Sequence, residues 1–187
     1  MNTRRRLSEA ISEGESISTL ARVSGSSEAI EAEGAGAEGI VTEGALAEVR
    51  SATNLPMLVL GSTPEEAAAA GANAWLLVTE TDGDDLESRY ALAGELGLEC
   101  VVDVRDEDEL EAVLAQIDPE IVLLSPREAE TDEAVDHVLE LLPDVPAGKL
   151  VAAELHSPTE DDVHALERAG VDAVVVALAA MPVARVE

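Results

Sequence analysis

Leu98-Glu99-Cys100-Val101-Val102-Asp103-Val104-Arg105, then the acidic stretch from Asp106 to Gln116, then Glu120-Ile121-Val122-Leu123-Leu124-Ser125-Pro126-Arg127-Glu128, is the part of the sequence whose reading decides the fold. Two short runs rich in Val, Ile and Leu flank a helical segment, which predicts strand, helix, strand. Strands joined through a helix lie parallel, so the unit is βαβ. Each strand closes on polar residues, Asp103 and Arg105 on the first, Ser125 and Arg127 on the second. Ligands in parallel α/β folds sit at the carboxyl ends of the strands, so these residues mark where a site is expected.

The same cadence extends in both directions. Ser16 to Val23, Glu38 to Glu43, Leu55 to Gly61 and Asn73 to Thr79 read as strands upstream, and Leu150 to Glu154 and Val171 to Ala177 downstream. Helices are expected from Ser24-Gly25-Ser26-Ser27 through Glu33, from Ala45 to about Thr53, from Asp84 to Leu96, from Asp132 to Leu142 and from Thr159 to Ala169. Ser62-Thr63-Pro64-Glu65-Glu66 is a helix start with threonine as cap, proline in the first turn and glutamate three residues after the threonine. Segments beginning at Ser26, Ser62, Asp106 and Ser157 repeat the order cap, acidic first turn, Ala-rich helix, Val/Leu strand. The pattern predicts a compact single-domain α/β protein, a (βα)8 TIM barrel over 1–187, with 1–15 a short N-terminal helix whose Leu7 and Ile11 close one end of the core. Such barrels usually take about 200 residues or more, so this one is small. A doubly wound open sheet is the alternative.

Forty Asp and Glu stand against 11 Lys and Arg, a net charge of -29, and the aromatics are reduced to Trp75 and Tyr90. Like charges at this density repel, and concentrated salt screens them, because the Debye length falls to about 3 Å at 1 M. Adaptation to a high-salt cytoplasm is the expected cause, with the acids forming a solvated outer face along the helices. With no basic patch to neutralise phosphates, no nucleic acid or anionic lipid is expected as a partner. Cys100 lies inside an apolar strand and is read as core. Thr3-Arg4-Arg5-Arg6 leads into polar sequence and no run approaches membrane-spanning length, so a cytoplasmic protein is expected.

Leu55-Pro56-Met57-Leu58, Leu96 to Asp106 and Glu167-Arg168-Ala169-Gly170-Val171-Asp172-Ala173-Val174-Val175-Val176 together resemble indole-3-glycerol phosphate synthase, the (βα)8 lyase of tryptophan biosynthesis. The resemblance runs from about Thr42 to Met181. It sets the family's first-strand Glu and Lys against Thr19 and Ala21, while Arg22, Ser24 and Ser26 fit the Lys-Arg-x-Ser-Pro-Ser pattern beside them. The strand-three lysine, the family's general acid, falls at Leu60. The strand-five glutamate becomes Asp103, the strand-six asparagine becomes Ser125 with Arg127 kept, and the strand-seven glutamate is Glu154. The glycine that admits the substrate phosphate falls at His156, and the strand-eight Gly-Glu pair at Ala177-Leu178. Much of the family's second βα loop has no counterpart. Ring closure needs a proton donor near the carbonyl and backbone N–H groups around the phosphate, and the resemblance implies that both are lost.

Three functions are therefore open. One is a non-catalytic or ligand-binding barrel, with a small anionic, phosphorylated metabolite held by Arg22, Ser24, Ser26, Ser125, Arg127 and His156. Another is a lyase or isomerase of altered chemistry using Asp103 and Glu154 as acid and base. A third is a structural or partner-binding protein. Against the catalytic reading, Asp103 and Glu154 could be polar residues neutralised by Arg105, Arg22 or Arg127. Alternation puts Asp103 with Arg105, and Glu154 with His156, on shared faces. His137 and His164 are expected on helices facing solvent, Glu43 and Glu80 facing water. No metal site and no cofactor is assigned, since no phosphate loop, zinc signature, nucleophile elbow or dinucleotide fingerprint is present. Oligomeric state has no signature here.

Overall fold

A computed structural model describes residues 5–14, 16–79, 85–126 and 131–181. Eight parallel strands close on themselves in sequence order. They are β1 (Ser18–Arg22), β2 (Gly39–Thr42), β3 (Met57–Val59), β4 (Ala74–Val78), β5 (Glu99–Val104), β6 (Ile121–Leu124), β7 (Leu150–Glu154) and β8 (Ala173–Ala177). The closing pair is β1 with β8, in register from Ser18 opposite Ala173 to Arg22 opposite Ala177. The helices are α1 (Leu7–Ser12), α2 (Ser26–Gly34), α3 (Leu46–Ala52), α4 (Pro64–Ala69), α5 (Leu86–Glu95), α6 (Glu107–Leu114), α7 (Thr131–Leu141) and α8 (Glu160–Ala169). The protein is a compact single-domain (βα)8 barrel, and the open sheet is excluded by the β1–β8 pairing.

Every residue of β5 is buried, because the strand has two covered faces. Val101 and its inward counterparts Leu20, Val41, Leu58, Leu76, Leu123 and Val175 fill the barrel. Cys100, Val102 and Val104 face outward to meet the helices. Helix starts follow their local chemistry: Thr63 Oγ1 accepts from the Glu66 N–H at 3.2 Å, Asp106 caps α6 through the Glu109 N–H, and Thr159 caps α8 through the Asp162 N–H. The Ala-rich face of α4 lets it pack closely, Ala67 being fully buried.

The amino end of the barrel is stoppered by α1. Leu7 and Ile11 point into the interior cluster. Glu99, the first residue of β5 and also inward, accepts the N–H groups of Leu7 at 2.5 Å and Ser8 at 3.2 Å, and Arg6 lies 3.2 Å from the same carboxylate. Gly39 makes room, since a Cβ there would sit 2.8 Å from Leu20 and 3.3 Å from Leu7. Other acids at this end accept N–H groups near strand starts: Glu38 from Thr19 at 2.7 Å, Glu167 from Ile17 at 3.2 Å and Asp172 from Val151 at 2.7 Å. Part of the acidity is thus structural rather than a solvated face. Among the described residues no helix is long and apolar enough to cross a membrane.

Candidate functional site

Strand alternation places Ser18, Leu20 and Arg22 on the inward face of β1 and Ala21 in the outer layer. Arg22 ends the strand, so its guanidinium emerges at the carboxyl mouth. Its Nη2 donates to Glu154 at the end of β7, and its Nη1 to Glu43 just past β2, at 3.3 Å. Across the mouth the Ser125 hydroxyl donates to Asp103, whose side chain at the end of β5 is only 2% exposed. These groups and His156 line a cavity of about 410 Å³, with Leu60, Leu76 and Val78 as its apolar wall. A second cavity of about 470 Å³ opens between the ends of β1, β2 and β8, walled by Val41, Leu60 and the turn at Leu178. The carboxylate-hydroxyl pair can hold or abstract a proton, and the guanidinium can bind an anion.

Asp103, Ser125, Glu154, Arg22 and His156 are therefore brought together from four strand ends and one following loop. Ser24 lines the second cavity, where its N–H and hydroxyl both donate to Glu28, at 2.6 and 2.8 Å. Those two hydrogen bonds favour the ionised form and hold the Glu28 carboxyl below its ordinary value. Ser26 is half-buried at the start of α2 and belongs to neither cavity lining. Arg127, like Glu80, lies outside the described residues.

Some sequence expectations are corrected. Arg105, one residue past the end of β5, does not share the mouth with Asp103 and lines neither cavity. Its side chain turns onto α6, its Nε donating to Glu109 at 3.2 Å. His137 is half-buried rather than solvent-facing, with Nε2 2.5 Å from the Arg105 carbonyl oxygen. His164 is exposed as expected, 3.4 Å from Glu167. Glu43 is largely in water and yet reaches Arg22. Glu99 is a structural residue that the strand pattern alone does not single out; its even spacing from Val101 and Asp103 is the available sign that it points inward. Among the described residues no cluster of three or more His, Cys, Asp or Glu could hold a metal ion.

The indole-3-glycerol phosphate synthase family profile matches residues 44–187. The chain belongs to the indole-3-glycerol phosphate synthase family. It is 34% identical over 138 residues to the synthase of Shouchella clausii, covering 70% of this chain and 54% of that one. To the synthase of Geobacillus thermodenitrificans it is 32% identical over 149 residues, covering 76% of this chain and 58% of that one. The chain spans about half the length of these curated relatives. In fold it is similar to the N-acetylmannosamine-6-phosphate 2-epimerase from Clostridium perfringens, with a TM-score of 0.76 over 97% of this chain and 93% of that one. At 14% identity that likeness concerns the fold alone.

Thr19 and Ala21 are the positions set against the family's first-strand Glu and Lys. Both lie on the outward face of β1, so the inward residues are Leu20 and Arg22, and a cation is kept at the strand end. Leu60, set against the family's strand-three lysine, is 6% exposed and borders both cavities. His156, set against the glycine that admits the family's substrate phosphate, lines the first cavity, and Ala177-Leu178, set against the strand-eight Gly-Glu pair, line the second.

Proposed function

We propose that this member of the synthase family does not close the indole ring and instead binds a small anionic, phosphorylated metabolite at the barrel mouth. Leu60 carries the reading. An apolar side chain between the two cavities supplies no proton at any pH, in the place where the resemblance puts the general acid. Arg22 supports the anion. Its Glu43 partner is 65% exposed and 3.3 Å away, a contact of the kind worth about 0–1 kcal/mol, so a ligand phosphate or carboxylate can take its place. Arg127 is the second cation of this reading. A cytoplasmic location and a connection with tryptophan biosynthesis belong to the same proposal.

The test is a thermal-shift screen in molar-range KCl with sugar phosphates, the synthase's own substrate among them, together with an assay for ring closure. Ligand at about a hundred times its dissociation constant stabilises the fold by roughly 2.7 kcal/mol. The expected outcome is a shift that disappears in Arg22→Ala and no ring closure. Turnover of the synthase substrate, or no shift with any phosphorylated compound, would sink the proposal.

Asp103 favours a second reading, an enzyme of altered chemistry with Asp103 and Glu154 as acid and base. A carboxylate this buried, hydrogen-bonded to Ser125 and lining a cavity, is placed for proton transfer. A bell-shaped pH profile abolished in both Asp103→Asn and Glu154→Gln would support it, whereas turnover surviving both changes would dismiss it.

A further inference from the structure

We propose that the Arg22 guanidinium is a strap across the mouth, and that release of its Glu43 end joins the two cavities into one. The cavity of about 410 Å³ that holds Asp103 and the slightly more apolar cavity of about 470 Å³ share Arg22, Glu43 and Leu60 among the described residues. The wall between them is therefore an ion pair standing beside a leucine side chain. On one side lie Asp103, Ser125 and His156, on the other Val41, Gly44 and Leu178.

The two ends of the strap differ in strength. Glu154 is 25% exposed and sits at the end of a barrel strand, whereas Glu43 is 65% exposed and lies past the last residue of β2. Exposed ion pairs are weak and are screened by salt, so the Glu43 end opens first. Gly44 and the left-handed Ala45 come directly after Glu43, giving that end a short turn rather than a strand to hold it. With the wall open, Asp103 and Ser125 become reachable from the larger cavity. The device sets whether the two cavities form one space, and it stands whether the mouth binds or turns over its ligand.

Leu60, bordering both cavities, is the position from which to watch the wall. In a Cys100→Ala background, Leu60→Cys reports opening through its rate of alkylation by iodoacetamide, a neutral reagent, at the lowest KCl concentration that keeps the chain folded. Adding Glu43→Gln is expected to raise that rate about two- to fivefold, the range open to an exposed pair. Glu28→Gln removes a charge from the same cavity without touching Arg22 and leaves the rate unchanged. Added KCl accelerates alkylation with Glu43 present and not with Glu43→Gln. Equal rates with and without the Glu43 charge, or equal acceleration by Glu28→Gln, overturn the proposal. If Leu60→Cys fails to fold, a crystal structure of Glu43→Gln decides: Arg22 held by Glu154 alone between joined cavities supports the strap, and an unmoved wall refutes it.

Discussion

Ala45, among the described residues, is the non-glycine with a left-handed backbone, at φ 49° and ψ 32°. An L-residue pays about 1–2 kcal/mol for that region, and glycine avoids the clash while adding unfolded-chain entropy. Ala45→Gly is therefore expected to stabilise the fold by up to about 1 kcal/mol, measured as a raised urea midpoint at fixed KCl. Tyr90 offers a second test. Its hydroxyl donates to the Asp118 carbonyl at 2.7 Å, and burial, with Cys100, Asp118 and Glu120 nearby, pushes its pKa up. A raised acid pKa means the folded state keeps its proton longer. The associated stability is present below the unfolded value of about 10 and is lost as pH rises through the folded one. Absorbance titration should show the phenol ionising later in the folded than in the urea-unfolded protein, with Tyr90→Phe removing that part of the alkaline loss. At this scale Asp103, Glu154 and Arg22 are legible in the sequence as mouth residues because each stands at or beside the end of its strand. Arg105 is not, because Glu109 on the following helix draws its side chain away.

At the scale of elements, α1 shows how a segment too short to be helical alone is fixed by tertiary contacts. Six residues long, it is held by Leu7 and Ile11 inside the barrel and by Glu99 at its first amides. Glu99→Ala removes that acceptor and is expected to cost about 1–3 kcal/mol. Hydrogen exchange should localise the effect, with the Leu7 and Ser8 amides exchanging faster while those of β4 stay protected. Unchanged protection at Leu7 and Ser8 would show that the apolar contacts alone hold the helix. The spacing of Leu7 and Ile11 announces the helix and its inward face; nothing within 1–15 announces an acceptor in β5, since the bond spans 92 positions.

For the whole molecule the governing quantity is the charge of -29. Several acids are tied to backbone amides or to arginines, but α6 and α8 each open with three acids in the first turn, and most such groups face water. Self-repulsion should make stability rise with salt. We expect the urea midpoint to increase from about 0.1 M to 2 M KCl, where the screening length shrinks from about 10 Å to less than 3 Å. A flat or falling midpoint would remove the high-salt reading of the composition.

Local quantities belong to the sequence alone: strand and helix positions, caps such as Thr63, the parallel βαβ order and the strand ends at Arg22, Asp103, Ser125 and Glu154, whereas closure of the barrel rests on the β1–β8 pairing. The local quantities rest on periodicity and capping, which act over a few residues. Partner choice required the folded chain. Arg22 meets Glu154 across 132 positions and Ser125 meets Asp103 across 22, while Arg105 leaves the mouth for Glu109, four residues away. Such choices depend on which strand ends become neighbours when the barrel closes, and on where each strand stops, which no local pattern encodes.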